Sequence, residues 1–323
     1  MSRLPGIAFA LAAGLMWGLV FVGPLLLPNY PAALHTVGRY LAFGVIALPL
    51  AWFDRRALAE LSRADWLAAL KLAAIGNLLY YLCLSSAIQR AGGPLPTMII
   101  GTLPVVISIT ANLRSHQRDG HLPWRRLLPP LGLILLGIGC VNQAEMAALA
   151  ASTAEAQARY GLGALLAVGA VACWTWYPLK NADWLRDHPT RSPRAWATAQ
   201  GLATLPLAAL GYGVVAWLMG GDAGFPLPLG PDPWAFVGLM FAIGLFASWL
   251  GTLCWNEASQ RLPTAIAGQL IVFETLAALS YAYLLRGQWP APVALTGIGL
   301  LVLGVLMAVR VRPERRSASV SNN

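Results

Sequence analysis

Apolar residues fall in ten long runs along the chain, at about 4–27, 33–53, 66–90, 93–113, 124–143, 160–180, 194–219, 234–258, 263–285 and 290–310. Each is long enough for an α-helix to cross a hydrocarbon layer about 30 Å thick, which takes about 20 residues. The runs lack the strict alternation of barrel strands, and an open sheet would leave backbone groups unpaired in lipid. All ten are therefore predicted as helices, making an all-α membrane protein. The first run follows Arg3 as a signal peptide would, but no small-residue cleavage site precedes Asn29, so it is kept as a span.

Composition agrees with the pattern. Hydrophobic residues make up 58% of the chain and charged residues 11%, with mean hydropathy +0.62, whereas a soluble domain carries about a quarter charged residues. The basic residues then orient the spans. Seventeen Lys and Arg fall on the side holding both termini, against four on the other, Arg39, Arg90, Arg159 and Arg286. Basic loops stay in the cytoplasm, so both termini are expected there, in a multi-pass protein of the bacterial inner membrane. The net charge of +9 is topology on this reading. Nucleic acid is not expected as a partner, because the charges are spread over short loops and a tail with no binding module. Cys83, Cys140, Cys173 and Cys254 all lie inside runs with no CxxC spacing, so neither a disulfide framework nor a metal site is expected.

Part of the chain is written twice. LPTMIIGTLPV at 95–105 and LPTAIAGQLIV at 262–272 agree at seven of eleven positions, and LCLSSAIQR at 82–90 matches LCWNEASQR at 253–261 at five of nine. LGLILLGI at 131–138 matches IGLLVLGV at 298–305 at four of eight, with the same offset of 167 as the first pair. Chance would give roughly one identity in ten, so three blocks in one order imply an internal duplication. Spans 3 to 5 then correspond to spans 8 to 10, and each repeat holds five helices. An odd number forces the second copy to enter from the opposite side, the inverted arrangement that places substrate near the midplane. The expected organisation is a first repeat at 1–145, a linker at 146–159, a second repeat at 160–310, and a basic cytoplasmic tail at 311–323.

From LAAGLMWG at 11–18 through GIGLLVLGVLM at 297–307, the chain resembles the EamA-type branch of the drug/metabolite transporter superfamily. Within it the chain is most similar to bacterial aromatic amino-acid exporters of the YddG type. That resemblance implies a central cavity lined by spans 1, 3, 4, 6, 8 and 9 and outward export by alternating access. The chain departs from many members in reading Glu274-Thr275 for Glu-Pro in span 9 and Gly287-Gln288 for a following Gly-Glu. A coupling scheme that needs the second acid therefore does not carry over.

Candidate site residues lie in mid-span. Of thirteen tryptophans, Trp52, Trp66, Trp124, Trp184, Trp196, Trp217, Trp234 and Trp289 fall near span ends or in loops, where an aromatic belt accounts for them. Trp17 and Trp249 fall near span centres, as core packing or pocket lining. Asn77, Tyr80 and Tyr81, at i, i+3 and i+4, share one helix face. Their repeat equivalents are Ser248, Gly251 and Thr252, so the polar faces are read either as helix-to-helix glue or as a wet cavity. Met98, Thr102 and Gln269 come from spans 4 and 9, and Trp174 from span 6. Pro24, Pro104 and Pro178 each remove a backbone donor and mark kinks or hinges. Glu274 is a carboxylate near a helix centre, where an ionisable group is costly. It is read as a proton carrier or a contact to a substrate ammonium, or else as a protonated glutamate bonded between helices.

Aromatic lining with few charges suits neutral or zwitterionic solutes with an apolar body. The expected function is export of neutral, especially aromatic, amino acids and related metabolites. A broad-specificity drug or organic-cation exporter of the same fold is the alternative. His35, His116, His121 and His188 map to loops or span ends and no HExxH or paired-carboxylate motif occurs, so an enzyme is not expected. The expected partners are a small-molecule substrate and the lipid bilayer, with no cofactor, for a monomer or weak dimer.

Overall fold

The computed structural model describes residues 4–91, 96, 99–114, 123–150, 153–220, 225–287 and 289–310. Among the described residues the chain is helical with no strand. Seven helices among those residues are long and apolar enough to cross a membrane. In chain order the helices are α1 (Leu4–Leu26), α2 (Ala32–Ala59), α3 (Arg63–Ala91), α4 (Leu103–Leu113), α5 (Trp124–Ala150), α6 (Ala154–Asp187), α7 (Pro193–Met219), α8 (Pro233–Arg261), α9 in two pieces (Thr264–Leu270 and Val272–Arg286), and α10 (Pro292–Val309). Most of the expected 146–159 linker is helix, since α5 runs to Ala150 and α6 starts at Ala154.

Local chemistry sets the helix starts. Ser62 caps α3 in a capping box, its hydroxyl accepting from the Asp65 N–H while Asp65 accepts from the Ser62 N–H at 2.8 Å. Ser192 and Asp232 cap α7 and α8, each followed by a proline whose missing donor costs nothing there. Pro104 likewise sits in the first turn of α4, after turn residues Gly101 and Thr102, so it begins a helix instead of kinking one.

Two helices widen into π turns in mid-course, α3 at Leu72–Leu79 and α8 at Gly244–Leu250. Moved along the chain by the offset of the LCLSSAIQR block, the first segment falls on the second. Helix packing is also reciprocal. α2 lies against α7, α5 against α10 and α4 against the first piece of α9, while α1 packs on α8 as α3 packs on α6. Gly14 and Gly18 bring α1 onto α9; a Cβ on Gly14 would lie 3.0 Å from the Glu274 nitrogen, and one on Gly18 2.8 Å from the Ala277 Cβ. Small residues let backbones approach closely where lipid offers no hydrophobic drive. This contact sets the depth at which Glu274 sits.

Candidate functional site

Six helices converge on one small central cavity. α1 contributes Trp17 and Val20, α2 Arg39 and Tyr40, α3 Asn77 and Tyr80, α6 Trp174, α8 Ala247, Ser248 and Thr252, and α9 Glu274. Asn77, Ala247 and Ser248 lie within the two π turns, a distortion that recurs at functional sites.

The aromatic wall is continuous. Trp174 lies between Tyr80 and Tyr177, stacked on both at 4.7 and 4.8 Å, and Trp17 meets its edge at 5.1 Å. Gly251 makes room for Trp17: a Cβ there would stand 2.6 Å from the indole nitrogen.

Arg39 and Glu274 line the same cavity. Arg39 is 4% exposed and Glu274 3%. The Arg39 Nε donates to Ser248 Oγ at 3.0 Å and its Nη2 to the Ala247 carbonyl at 3.1 Å. Its guanidinium sits over the rings of Tyr40 and Tyr81, at 4.9 and 4.7 Å. The basic-residue pattern placed Arg39 among charges outside the membrane; it is instead buried two turns into α2. A guanidinium so deep is held only by paired contacts, and these four supply them.

Bonded clusters pack the bundle toward both of its ends. Beyond Trp174 a chain of hydrogen bonds runs from Tyr177 to Gln200 at 2.8 Å, Gln200 to Asn181 at 3.1 Å, and Asn181 to Asn256 at 2.8 Å. Trp196 donates to Asn181 and stacks on Trp184 at 3.5 Å, and Trp184 donates to Asp65. Trp184 and Trp196 were expected in the aromatic belt; both are buried and bonded inside the bundle. At the opposite end Tyr30 stacks on Phe236 at 4.8 Å and its hydroxyl accepts from the Asp232 N–H. The space left is about 10 Å³, about one water's worth.

Residues 4–142 match the family model described as the EamA-like transporter family. "Inner membrane protein YtfF" of Escherichia coli (strain K12) is 55% identical over 314 residues, 97% of this chain and 97% of that protein. The chain belongs to the EamA-like transporter family. A solved crystal structure covering 95% of this chain and 98% of its own superimposes with a TM-score of 0.69 at 16% identity, a likeness of fold. This EamA-like chain is thus a membrane transporter of the drug/metabolite superfamily, in keeping with the expectation of a carrier over an enzyme.

The transporter cavity gathers Trp17, Asn77, Tyr80, Trp174, Ser248, Thr252 and Glu274 of the sequence candidates. It does not gather the rest. Tyr81 lies under Arg39 with its hydroxyl donating to the Val20 carbonyl at 3.3 Å. Trp249 donates to Thr198 Oγ1 at 3.3 Å. Thr102 turns its hydroxyl to the Ile99 carbonyl at 2.6 Å, and Gln269 is buried in the first piece of α9. Pro24 and Pro178 lie inside α1 and α6. Met98, His116 and His121 lie outside the described residues. Against the lining the resemblance implied, α2 is added, and α4 supplies no lining residue among the described ones. Arg39 and Tyr40 were missed. The available signal was an arginine followed by fourteen residues with no charge until Asp54.

Proposed function

We propose that the chain exports neutral, above all aromatic, amino acids and related metabolites across the bacterial inner membrane by alternating access. On this reading two inverted five-helix halves, 1–145 and 160–310, face each other across the cavity, joined through 146–159 and followed by a basic cytoplasmic tail at 311–323. Both termini are cytoplasmic. The ten-span, two-repeat arrangement is supported by the matched π turns and the reciprocal helix packing. The membrane assignment draws on the relative named as an inner membrane protein.

The aromatic stack of Trp17, Tyr80 and Trp174 beside the cavity carries the substrate class. Flat rings in a dry site favour an apolar or aromatic body, each well-placed pair contributing about 0.5–1.5 kcal/mol beyond area burial. Sugar phosphates would call for clustered cations, and among the described lining residues Arg39 is the single cation. A cavity this small cannot admit a phenylalanine, so passage requires helix movement, with the break in α9 and the π turns as the places to bend.

A broad organic-cation exporter is the second reading, because Glu274 is a carboxylate set among aromatic rings. The test is uptake of labelled phenylalanine, threonine and a quaternary-ammonium dye into liposomes holding purified protein, with and without a pH gradient. Amino-acid flux without dye flux is expected, and an effect of the gradient would point to Glu274. Dye flux alone would transfer the assignment to a multidrug carrier.

A further inference from the structure

The cavity holds three buried polar atoms with no hydrogen-bond partner among the described residues: Arg39 Nη1, Trp174 Nε1 and Glu274 Oε2. All three belong to residues lining the same space. Buried donors and acceptors are almost always satisfied, so orphans around one cavity describe the groups a ligand must bring. Two are donors and the third is on a carboxyl group.

Arg39 is built for this use. Its Nε and Nη2 are occupied by Ser248 and the Ala247 carbonyl, both in the π turn of α8, and the rings of Tyr40 and Tyr81 fix the guanidinium. Only Nη1 is left over. A cation that merely balanced Glu274 would be expected to bond it, yet both orphan atoms remain. We propose that Arg39 and Glu274 read the two ends of a zwitterion: Arg39 Nη1 and the Trp174 indole N–H receive an α-carboxylate, and Glu274 receives the α-ammonium. The side chain then lies against Trp17 and Tyr80.

The electrostatics select against the simpler ligands. A bare cation meets Glu274 but brings a second positive charge beside Arg39. A bare carboxylate satisfies Arg39 but faces Glu274 with a like charge. A zwitterion leaves the site with no unanswered charge, the condition for burying ions at low cost. The inference rests on the amino-acid exporter reading, and it assigns recognition to the backbone end of the substrate, with the rings tuning the side chain.

The experiment is competition against labelled phenylalanine uptake in liposomes, using unlabelled phenylalanine, 3-phenylpropionate, which lacks the ammonium, and phenethylamine, which lacks the carboxylate. Wild-type protein should favour phenylalanine over either analogue by about tenfold or more, since a site that bonds a group rejects ligands lacking it. Arg39→Gln should bring phenethylamine level with phenylalanine while phenylpropionate stays excluded, and Glu274→Gln should do the converse. Arg39→Lys, which keeps the charge, should keep part of the preference. Phenylalanine uptake with either analogue competing equally at wild-type protein would overturn the clamp and leave the exporter reading standing. That arm needs no variant to fold. Absence of phenylalanine uptake would overturn both.

Discussion

Trp17 of α1 and Trp174 of α6 meet edge to face, their ring centroids 5.1 Å apart at 77°. They stand 157 residues apart, the spacing that also separates LPLA at 48–51 in α2 from LPLA at 205–208 in α7. On the two-repeat reading proposed above, each half contributes one tryptophan from a corresponding place, and the two rings touch. The partners beside them differ. Trp174 is sandwiched by Tyr80 and Tyr177, while Trp17 has Gly251 at the position corresponding to Tyr80.

Removing one of these rings should weaken transport and also destabilise the fold. Loss of a ring contact of about 1 kcal/mol corresponds to about a fivefold drop, so Trp17→Ala and Tyr80→Ala should each lower phenylalanine uptake about fivefold to tenfold. Truncating a buried aromatic also costs about 3–5 kcal/mol of stability. Trp17→Phe, which retains most of the packing, serves as the fold-preserving companion, with monodisperse elution in detergent as the control. Unchanged uptake in both alanine variants would reduce the rings to packing.

Gly251 offers a stability test with an internal contrast. A Cβ at Gly251 would fall 2.6 Å from the Trp17 indole nitrogen and 3.0 Å from its Cδ1, whereas one at Gly238, in the same helix, would meet nothing within 4 Å. Overpacking costs about 1–3 kcal/mol, while alanine replaces glycine in an open helical site with a gain of up to about 1 kcal/mol. Gly251→Ala should therefore unfold at lower temperature in detergent and lose uptake as Trp17 shifts. Gly238→Ala should unfold at the same temperature or higher.

The helical class was legible because long apolar runs admit few other structures in lipid. Trp17, Asn77, Tyr80 and Glu274 stood out as polar or bulky groups in mid-span. Arg39 did not, because one arginine near a span end reads as a loop charge until the contacts of Ser248 and Tyr81 are known. Trp184 and Trp196 were misplaced for the opposite reason. Ends of spans normally face the interface, and nothing in the local pattern reveals that Asp65 and Asn181 wait inside to accept their N–H groups.

The ion pair between α2 and α7 can be probed at Asp54. This buried carboxylate accepts from Arg194 Nε at 2.8 Å and from Thr198 Oγ1 at 2.8 Å. Arg194 is the more exposed partner, at 51% against 5%. Arg194→Ala leaves a buried charge with one hydroxyl for support, whereas Asp54→Asn leaves a cation that water can solvate. Breaking a buried pair is most costly when the inner charge is stranded. Arg194→Ala should thus lose about 1–3 kcal/mol, more than Asp54→Asn, read as the larger drop in thermal midpoint. The reverse order would mean that the Asp54 side chain is not charged in the folded protein.

Orientation is the remaining expectation open to direct measurement. Ion pairs among the described residues, Arg114–Asp183, Arg191–Glu60, Arg194–Asp54 and Arg261–Glu257, gather at one end of the bundle. Pairing makes that end less positive than its arginine content implies. The orientation rule counts Lys and Arg near span ends and gives acidic residues little weight, so these pairs do not weaken the expectation that this end is cytoplasmic. Trp234 and Trp289, 86% and 93% exposed, then anchor the periplasmic interface. A phosphatase fused after Asp222 should be active, and a fluorescent reporter fused after Arg316 should glow in the cytoplasm. Both reporters on one side would require an odd number of crossings between the two positions to become even, and would overturn the count of ten spans together with the inverted pairing of the halves.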